Sequence, residues 1–324
     1  MATQLMIEKW QGEVATVTIG ATKTDGGTRA NVVKIGGEKG LPFLFQEGAL
    51  PNKPVIAFEI WDIPPLDWPQ DLMKTFGSVV NDPFAWAEKC VSEYKAEILC
   101  VRMQGAHPDF GNKSADDSAK FISQLLKKVS VPLVVVGSGD DQKDGQVLPL
   151  CCEAAKSERC LVGSAVQENY KTLVGAVLAD GHNIIAESPI DINIAKQLNI
   201  LISDMGLSLD RIVINPTIGP LGYGLEYAYS IMERARLAAL AGDKTVGSPF
   251  VCFVGQETWR TKEAMISQRE FPAWGPESER GIAWEVITAT ALIQAGADLL
   301  VMRHPKAVEK INKYVDNLVA KKGD

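Results

Sequence analysis

Residues 97–137 read EILCVRMQGAHPDFGNKSADDSAKFISQLLKKVSVPLVVVG, and this stretch decides the fold. Its two ends, EILCVRM (97–103) and PLVVVG (132–137), are nearly continuous in apolar character, as parallel strands covered on both faces must be. Between them SADDSAKFISQLLKKV (114–129) carries the spacing of a helix with one apolar face. The same alternation runs outward in both directions. PVIAFEI (54–60) precedes it, and CLVGSA (160–165), NIIAES (183–188), RIVINP (211–216), PFVCFV (249–254) and ADLLVM (297–302) follow, each separated by a helical segment. Eight such strands in a row predict a TIM (β/α)8 barrel over residues 53–324, a span close to the roughly 250 residues usual for that fold. A doubly wound open sheet would announce itself by a G-x-G-x-x-G after an early strand, and none stands there.

Residues 1–52 read differently. GEVATVTIG (12–20) and RANVVKIGG (29–37) are β-like runs joined through Asp25-Gly26-Gly27, turn chemistry that asks for positive φ. They predict an N-terminal β-hairpin extension that plugs the N-terminal end of the barrel. The connection from Asp62 to Pro83, rich in proline and tryptophan, is expected to be a long functional loop at the opposite end.

A chain of 324 residues with 46% hydrophobic content can bury a large core, and its apolar runs are too short for a bilayer span. The start, MATQLMIEKWQG, lacks a signal-peptide pattern, so a cytoplasmic location is expected, with no membrane partner. The net charge of −7 and the scattered lysines and arginines argue against nucleic acid. The six cysteines, at 90, 100, 151, 152, 160 and 252, form no C-x-x-C pair and no Cys/His cluster, which predicts reduced thiols and no metal site built by this chain.

In a barrel of this kind the ligand site lies at the C-terminal ends of the strands. Those positions hold Glu59, Asp62, Gln104, Ser138, Gly139, Asp140, Ser164, Asn169, Glu187, Ser188, Asp191, Asn193, Asn215, Thr217, Gln256, Glu257, Arg303 and His304. They are rich in amides, hydroxyls and carboxylates, and they offer no Ser–His–Asp or Cys–His arrangement for covalent catalysis. INPTIGPLGYGLEY (214–227) stands out because Gly219, Gly222 and Gly224 bare the backbone just before a helix that begins among Tyr223, Tyr227 and Tyr229. Such a stretch serves either to let the backbone approach a flat ligand or to make a tight βα turn, and spacing alone leaves both open. The segment DGHNII (180–185) falls short of the D-x-H-x-x-G pattern that supplies an axial histidine to some corrinoids, and it reads as a polar turn. His304 reads as a structural histidine and His107 as a loop residue.

The motifs GATKTDGGTR (20–29), PVIAFEIWDIPPLDWP (54–69), LVVVGSGD (133–140), QENYKTL (167–173), SPIDINIAKQLNILI (188–202), PTIGPLGYGLEYAYSIMERAR (216–236) and FPAWGPESERGIAWE (271–285), in this order over essentially the whole chain, closely resemble the small subunit of the corrinoid iron–sulfur protein. That family belongs to the acetyl-CoA synthase/carbon monoxide dehydrogenase system of the reductive acetyl-CoA pathway. The resemblance implies a heterodimer with a large subunit that carries the iron–sulfur cluster, and a cobamide held between the two at the barrel mouth. It also implies transient partners, a methyltetrahydrofolate methyltransferase that supplies the methyl group and acetyl-CoA synthase that receives it. No catalytic residue is then needed on this chain, because the cofactors carry the chemistry. The cobamide contacts implied are Ser138, Gly139, Asp140, Asn169, Ser188, Asp191, Asn193, Asn215, Thr217, Gly219, Gly222, Tyr223, Gln256 and Glu257. An alternative from the same superfamily is a pterin-dependent methyltransferase gripping methyltetrahydrofolate with Asp140, Asn169, Asn193 and Asn215, although Gln104-Gly105 stands where that family has Asp-Gly. A third reading makes the chain an assembly subunit docking through Trp61, Trp68, Trp259 and Trp274.

Overall fold

The computed structural model describes residues 6–320; the first five residues of the start read above for a targeting pattern, and the last four of the chain, lie outside the described residues. The strands are β1 (Thr16–Ile19), β2 (Val33–Gly36), β3 (Val55–Trp61), β4 (Leu99–Arg102), β5 (Leu133–Val136), β6 (Leu161–Ala165), β7 (Asn183–Glu187), β8 (Ile212–Asn215), β9 (Phe250–Cys252) and β10 (Ala297–Met302). Strands β3 to β10 close in sequence order into an eight-stranded barrel, β10 pairing in parallel with β3 through Leu299↔Val55 to Met302↔Phe58. Around it lie α1 (Gln70–Phe76), α2 (Pro83–Ser92), α3 (Ala115–Lys128), α4 (Asp141–Ala154), α5 (Tyr170–Asp180), α6 (Ile192–Asp204), α7 (Leu225–Leu240), α8 (Val254–Thr258), α9 (Lys262–Met265), α10 (Glu277–Gln294) and α11 (Pro305–Ala320). This is the TIM barrel with an N-terminal hairpin that the strand pattern predicts.

Strand alternation sorts the side chains into two cores. Outward residues such as Phe58, Leu99, Val135 and Leu300 pack under the helices. Inward residues, among them Ala57, Cys100, Val134, Ile185, Val213, Val251 and Val301, fill the barrel, and Val17, Ile19, Val33 and Ile35 of the β1–β2 hairpin belong to that same inner cluster. The hairpin therefore covers the N-terminal end. Arg29, just before β2, fixes it there: Nε donates to Glu158 at 2.8 Å, Nη1 to the Val129 carbonyl at 2.6 Å, and Nη2 to the Leu126 carbonyl at 2.8 Å.

The Asp62–Pro83 connection, expected as one long loop, is partly helical. It contains α1 and a 3-10 turn over Gly77–Asn81, and Trp68 is buried in an aromatic cluster with Trp61, Phe76 and Trp86. Pro69 stands at the start of α1 and Pro83 begins α2, and the connection's tryptophan is core. Trp61 and Trp259 are likewise buried, so of the four tryptophans considered as docking anchors only Trp274, 38% exposed, is open to a partner. PFVCFV breaks earlier than its composition suggests, because Val254 already begins α8. All six cysteines are buried and free. Among the described residues, no helix is long and apolar enough to cross a membrane.

Candidate functional site at the barrel mouth

The alternation that points Ala57, Cys100, Ile185, Val213, Val251 and Val301 inward also points inward the residues two positions on: Glu59, Arg102, Glu187, Asn215, Phe253 and Arg303. At the C-terminal end the apolar filling thus gives way to a polar layer. Glu59 is fully buried beneath it. Arg102 Nε donates to its Oε1 at 2.8 Å, Arg303 grips both oxygens at 2.7 and 3.1 Å, and Trp61 Nε1 adds a bond at 3.0 Å. Burial would raise the Glu59 carboxyl, but the Arg303 and Arg102 guanidiniums outweigh it and hold the group well below the usual carboxylate range. Arg303 sits over the Trp68 ring, 4.4 Å from its centre, and Arg102 reaches Gln256 Oε1 while resting 5.5 Å from the Phe253 ring centre.

Above this floor is a cavity of about 160 Å³ lined by Arg102, Gly139, Asp141, Asp144, Ser164, Glu187, Asn215, Thr217, Gln256 and Glu257, with Val136, Gly137, Val166, Ile218 and Phe253 as its apolar part. Each loop at its edge is held by the chain itself. Asp144 accepts from Ser138 N (2.7 Å), Ser138 Oγ (2.8 Å) and Gly139 N (2.9 Å), fixing the β5–α4 turn. Asn215 Nδ2 donates to Glu187 at 2.9 Å, and Thr217 Oγ1 donates to the Ser188 carbonyl at 2.8 Å, locking the β7 and β8 loops together. Thr217 and Ile190 carry φ of 56° and 47°, left-handed values that cost a β-branched residue energy and that this interlock sustains. Negative charge is crowded here: burial first, then Asp144, Glu168, Glu187 and Asp140, push the Asp141 carboxyl upward.

Of the residues expected at the site, Gly139, Asn215, Thr217, Gln256 and Glu257 line the cavity. Others support its edges. Ser138 is tied to Asp144, Asp140 caps α4 through Lys143 N, Asp191 caps α6 through Asn193 N and Ile194 N, and Asn169 Oδ1 accepts from Val166 N. Ser188 is buried with its hydroxyl unpartnered, and Asn193 is exposed on the first turn of α6. Gly219, Gly222 and Tyr223 lie outside the cavity lining. A Cβ on Gly219 would meet the Tyr223 carbonyl oxygen at 2.2 Å, Gly222 and Gly224 have φ of 83° and 97°, and the Tyr223 hydroxyl donates to Glu263 at 2.9 Å. The bare backbone is thus used by the turn's own closure onto α7 and α9.

Arg102 is absent from the strand-end residues read from sequence, and Asp141 and Asp144 follow the turn rather than end the strand. The signal for Arg102 was its parity with Ile98 and Cys100. His304 stacks on Trp259 (5.8 Å between ring centres), accepts from Lys306 N at Nδ1 and hydrogen-bonds Thr75 Oγ1 through Nε2, which makes it structural. His182 is buried, with Nδ1 accepting from Cys160 N and Nε2 at 2.9 Å from the Cys152 carbonyl. Among the described residues no group of three or more His, Cys, Asp or Glu side chains is arranged to hold a metal ion.

Comparison with known proteins places this geometry in a family. Residues 16–317 match the family model described as CO dehydrogenase/acetyl-CoA synthase delta subunit. The acetyl-CoA decarbonylase/synthase complex subunit delta of Methanocaldococcus jannaschii is 38% identical over 319 residues, covering 98% of this chain and 77% of that protein. The subunit delta of Methanopyrus kandleri is 36% identical over 306 residues, covering 94% and 75%. Among solved structures, dihydropteroate synthase from Xanthomonas albilineans in complex with 7,8-dihydropteroate superposes with a TM-score of 0.55 at 14% identity, over 84% of this chain and 96% of that one, a likeness that shows the barrel fold alone. With a family model matched over most of the chain and more than a third of its residues identical to such subunits over nearly its whole length, the chain belongs to the CO dehydrogenase/acetyl-CoA synthase delta subunit family, the small subunits of corrinoid iron–sulfur proteins.

Proposed function

We propose that this chain is the clusterless subunit of a heterodimeric corrinoid methyl carrier, working in the cytoplasm, where its free cysteines stay reduced. It would cap a cobamide held jointly with a large subunit that carries the iron–sulfur cluster. The observation that carries the reading is the chemistry of the mouth, a cavity rich in acceptors whose lining holds no Ser–His or Cys–His pair. Primary amides around a corrin ring donate N–H groups, and Asp141, Glu187, Glu257 and Thr217 are placed to receive them, with Phe253 and Ile218 offering apolar contact. At about 160 Å³ the cavity is smaller than the roughly 300 Å³ at which pockets begin to enclose even a drug-sized ligand. A corrinoid could only rest against the mouth, and a second subunit is needed to hold it.

When bound, the cobamide supplies the cobalt that carries the methyl group from a methyltetrahydrofolate methyltransferase to acetyl-CoA synthase. The chain's own part is to bind the ring's periphery, to exclude water with its apolar lining, and to leave one face reachable. The rival reading, a pterin-dependent methyltransferase, draws on the same row of acceptors, which would also suit the N–H groups of a pterin. The test is expression of the tagged chain with and without the large subunit, followed by visible absorption for corrinoid and iron. The pair should co-purify carrying both while the chain alone is colourless. A chain that alone demethylates methyltetrahydrofolate onto free cobalamin would sink the carrier reading in favour of its rival.

A further inference from the structure

We infer that the mouth cavity is an amide-recognition site, in which Arg102 donates to a ligand carbonyl oxygen while Glu187 and Asp141 accept the neighbouring N–H. The inference rests on the proposed function and narrows it to the ligand atoms that reach the barrel floor.

Arg102 carries the argument. A guanidinium has five N–H groups. Here Nε is used by Glu59 and one N–H of Nη2 by Gln256, and among the described residues no other acceptor takes the rest. Yet the side chain is only 11% exposed and lines the cavity. The remaining N–H groups open onto the cavity, where a ligand's acceptor can take the place of water. Nor is the charge of Arg102 cancelled, since Glu59 is shared with Arg303 and the three groups together carry one positive charge. Gln256 is fixed in turn, its Nε2 donating to Glu257 at 3.0 Å, so the guanidinium is held rigidly.

The rim has the opposite character. Asp141, Glu187 and Glu257, after β5, at the end of β7 and after β9, are spaced around the mouth, and burial and the repulsion of neighbouring carboxylates raise the Asp141 carboxyl. An anionic ligand reaching for Arg102 would face these carboxylates, and a cationic one would face Arg102. A group with a carbonyl oxygen beside an N–H satisfies both at once. Of the ligands that the proposed function and its rival bring to this mouth, both present such an edge, a corrinoid in its side-chain amides and a pterin in its lactam.

The test uses the heterodimer for cobalamin, followed by visible absorption and equilibrium dialysis, and the chain alone for methyltetrahydrofolate, followed by calorimetry. Arg102→Met keeps the stem on Phe253 and leaves Glu59 paired with Arg303; Arg102→Lys, which keeps the charge and loses the planar fork, serves if the first variant folds poorly. A tenfold or greater loss of cobalamin affinity in either variant identifies corrinoid amides as the ligand group. The same loss for methyltetrahydrofolate identifies a pterin lactam. A corrinoid whose side-chain amides are hydrolysed to carboxylates should bind the wild-type pair at least tenfold more weakly than cobalamin. If the wild-type pair binds cobalamin and the Arg102 variants lose neither cobalamin nor methyltetrahydrofolate affinity, the inference is wrong and the carrier reading stands; if the wild-type pair holds no corrinoid and the chain no pterin, both fall.

Discussion

Replacing Arg29 by alanine should loosen the hairpin from the barrel. The side chain is 1% exposed and pairs with Glu158, itself 9% exposed, at 2.8 Å, while its other nitrogens serve the carbonyls of Val129 and Leu126 and the Thr28 hydroxyl. Alanine would leave Glu158 with only the Thr28 N and Oγ1 donors, at 3.1 and 2.7 Å, and would strip the two carbonyls of their partner. Breaking one side of a buried, hydrogen-bonded ion pair costs about 3–5 kcal/mol, a large share of the roughly 5–15 kcal/mol that holds a domain folded. Urea unfolding followed by circular dichroism should show that loss. Pairing Arg29→Ala with Glu158→Ala should cost less than the sum of the singles, because the double variant leaves no orphan charge. A single-variant loss below about 1 kcal/mol, or strict additivity, would refute the reasoning that the hairpin is clamped through this pair.

Three further outcomes are expected. Burial first, then Lys306 and Lys310, hold the His304 imidazole down to about 4 from 6.5, so between those values the unfolded chain takes up a proton that the folded one refuses and stability falls as pH drops. Wild type should lose about 2 kcal/mol more than His304→Gln between pH 7 and pH 5 in urea unfolding; parallel losses would contradict it. Gly137→Ala would place a methyl 2.2 Å from Asp144 Oδ2 and should cost about 1–3 kcal/mol, read as a lower urea midpoint. Burial pushes every thiol upward, Cys90 and Cys160 to about 12, so native protein at pH 8 should resist a thiol reagent and yield six reactive groups only on denaturation.

The barrel was legible because its strands are apolar on both faces and its helices are not; that contrast survives without any knowledge of contacts. What composition misreads is where irregular backbone becomes core. DIPPLDWP looks like a surface loop, yet Trp68 lies under Arg303 and meets Trp86 edge to face. The site was half legible for a related reason. Asn215, Thr217, Gln256 and Glu257 end their strands, or lie just beyond them, as polar residues after apolar runs. Arg102 is a charge within an apolar run, and only the period of two, counted from Ile98, turns it toward the floor. Gly219 and Gly222 illustrate the converse, since glycine marks a backbone need and leaves unstated whether a ligand or the turn itself creates it.

The pairing of β3 with β10 reaches into synthesis. Val55 leaves the ribosome early and Leu299 about 240 residues later, which at roughly 5–20 residues per second is a wait of about 12–50 s with one strand edge open. Throughout that interval β3 offers unpaired amides to any passing strand, and the β1–β2 hairpin has no completed barrel to cover. Cells making this subunit therefore need to shield a half-built cylinder, and slowing translation late in the message should lower the yield of folded protein more than slowing it early.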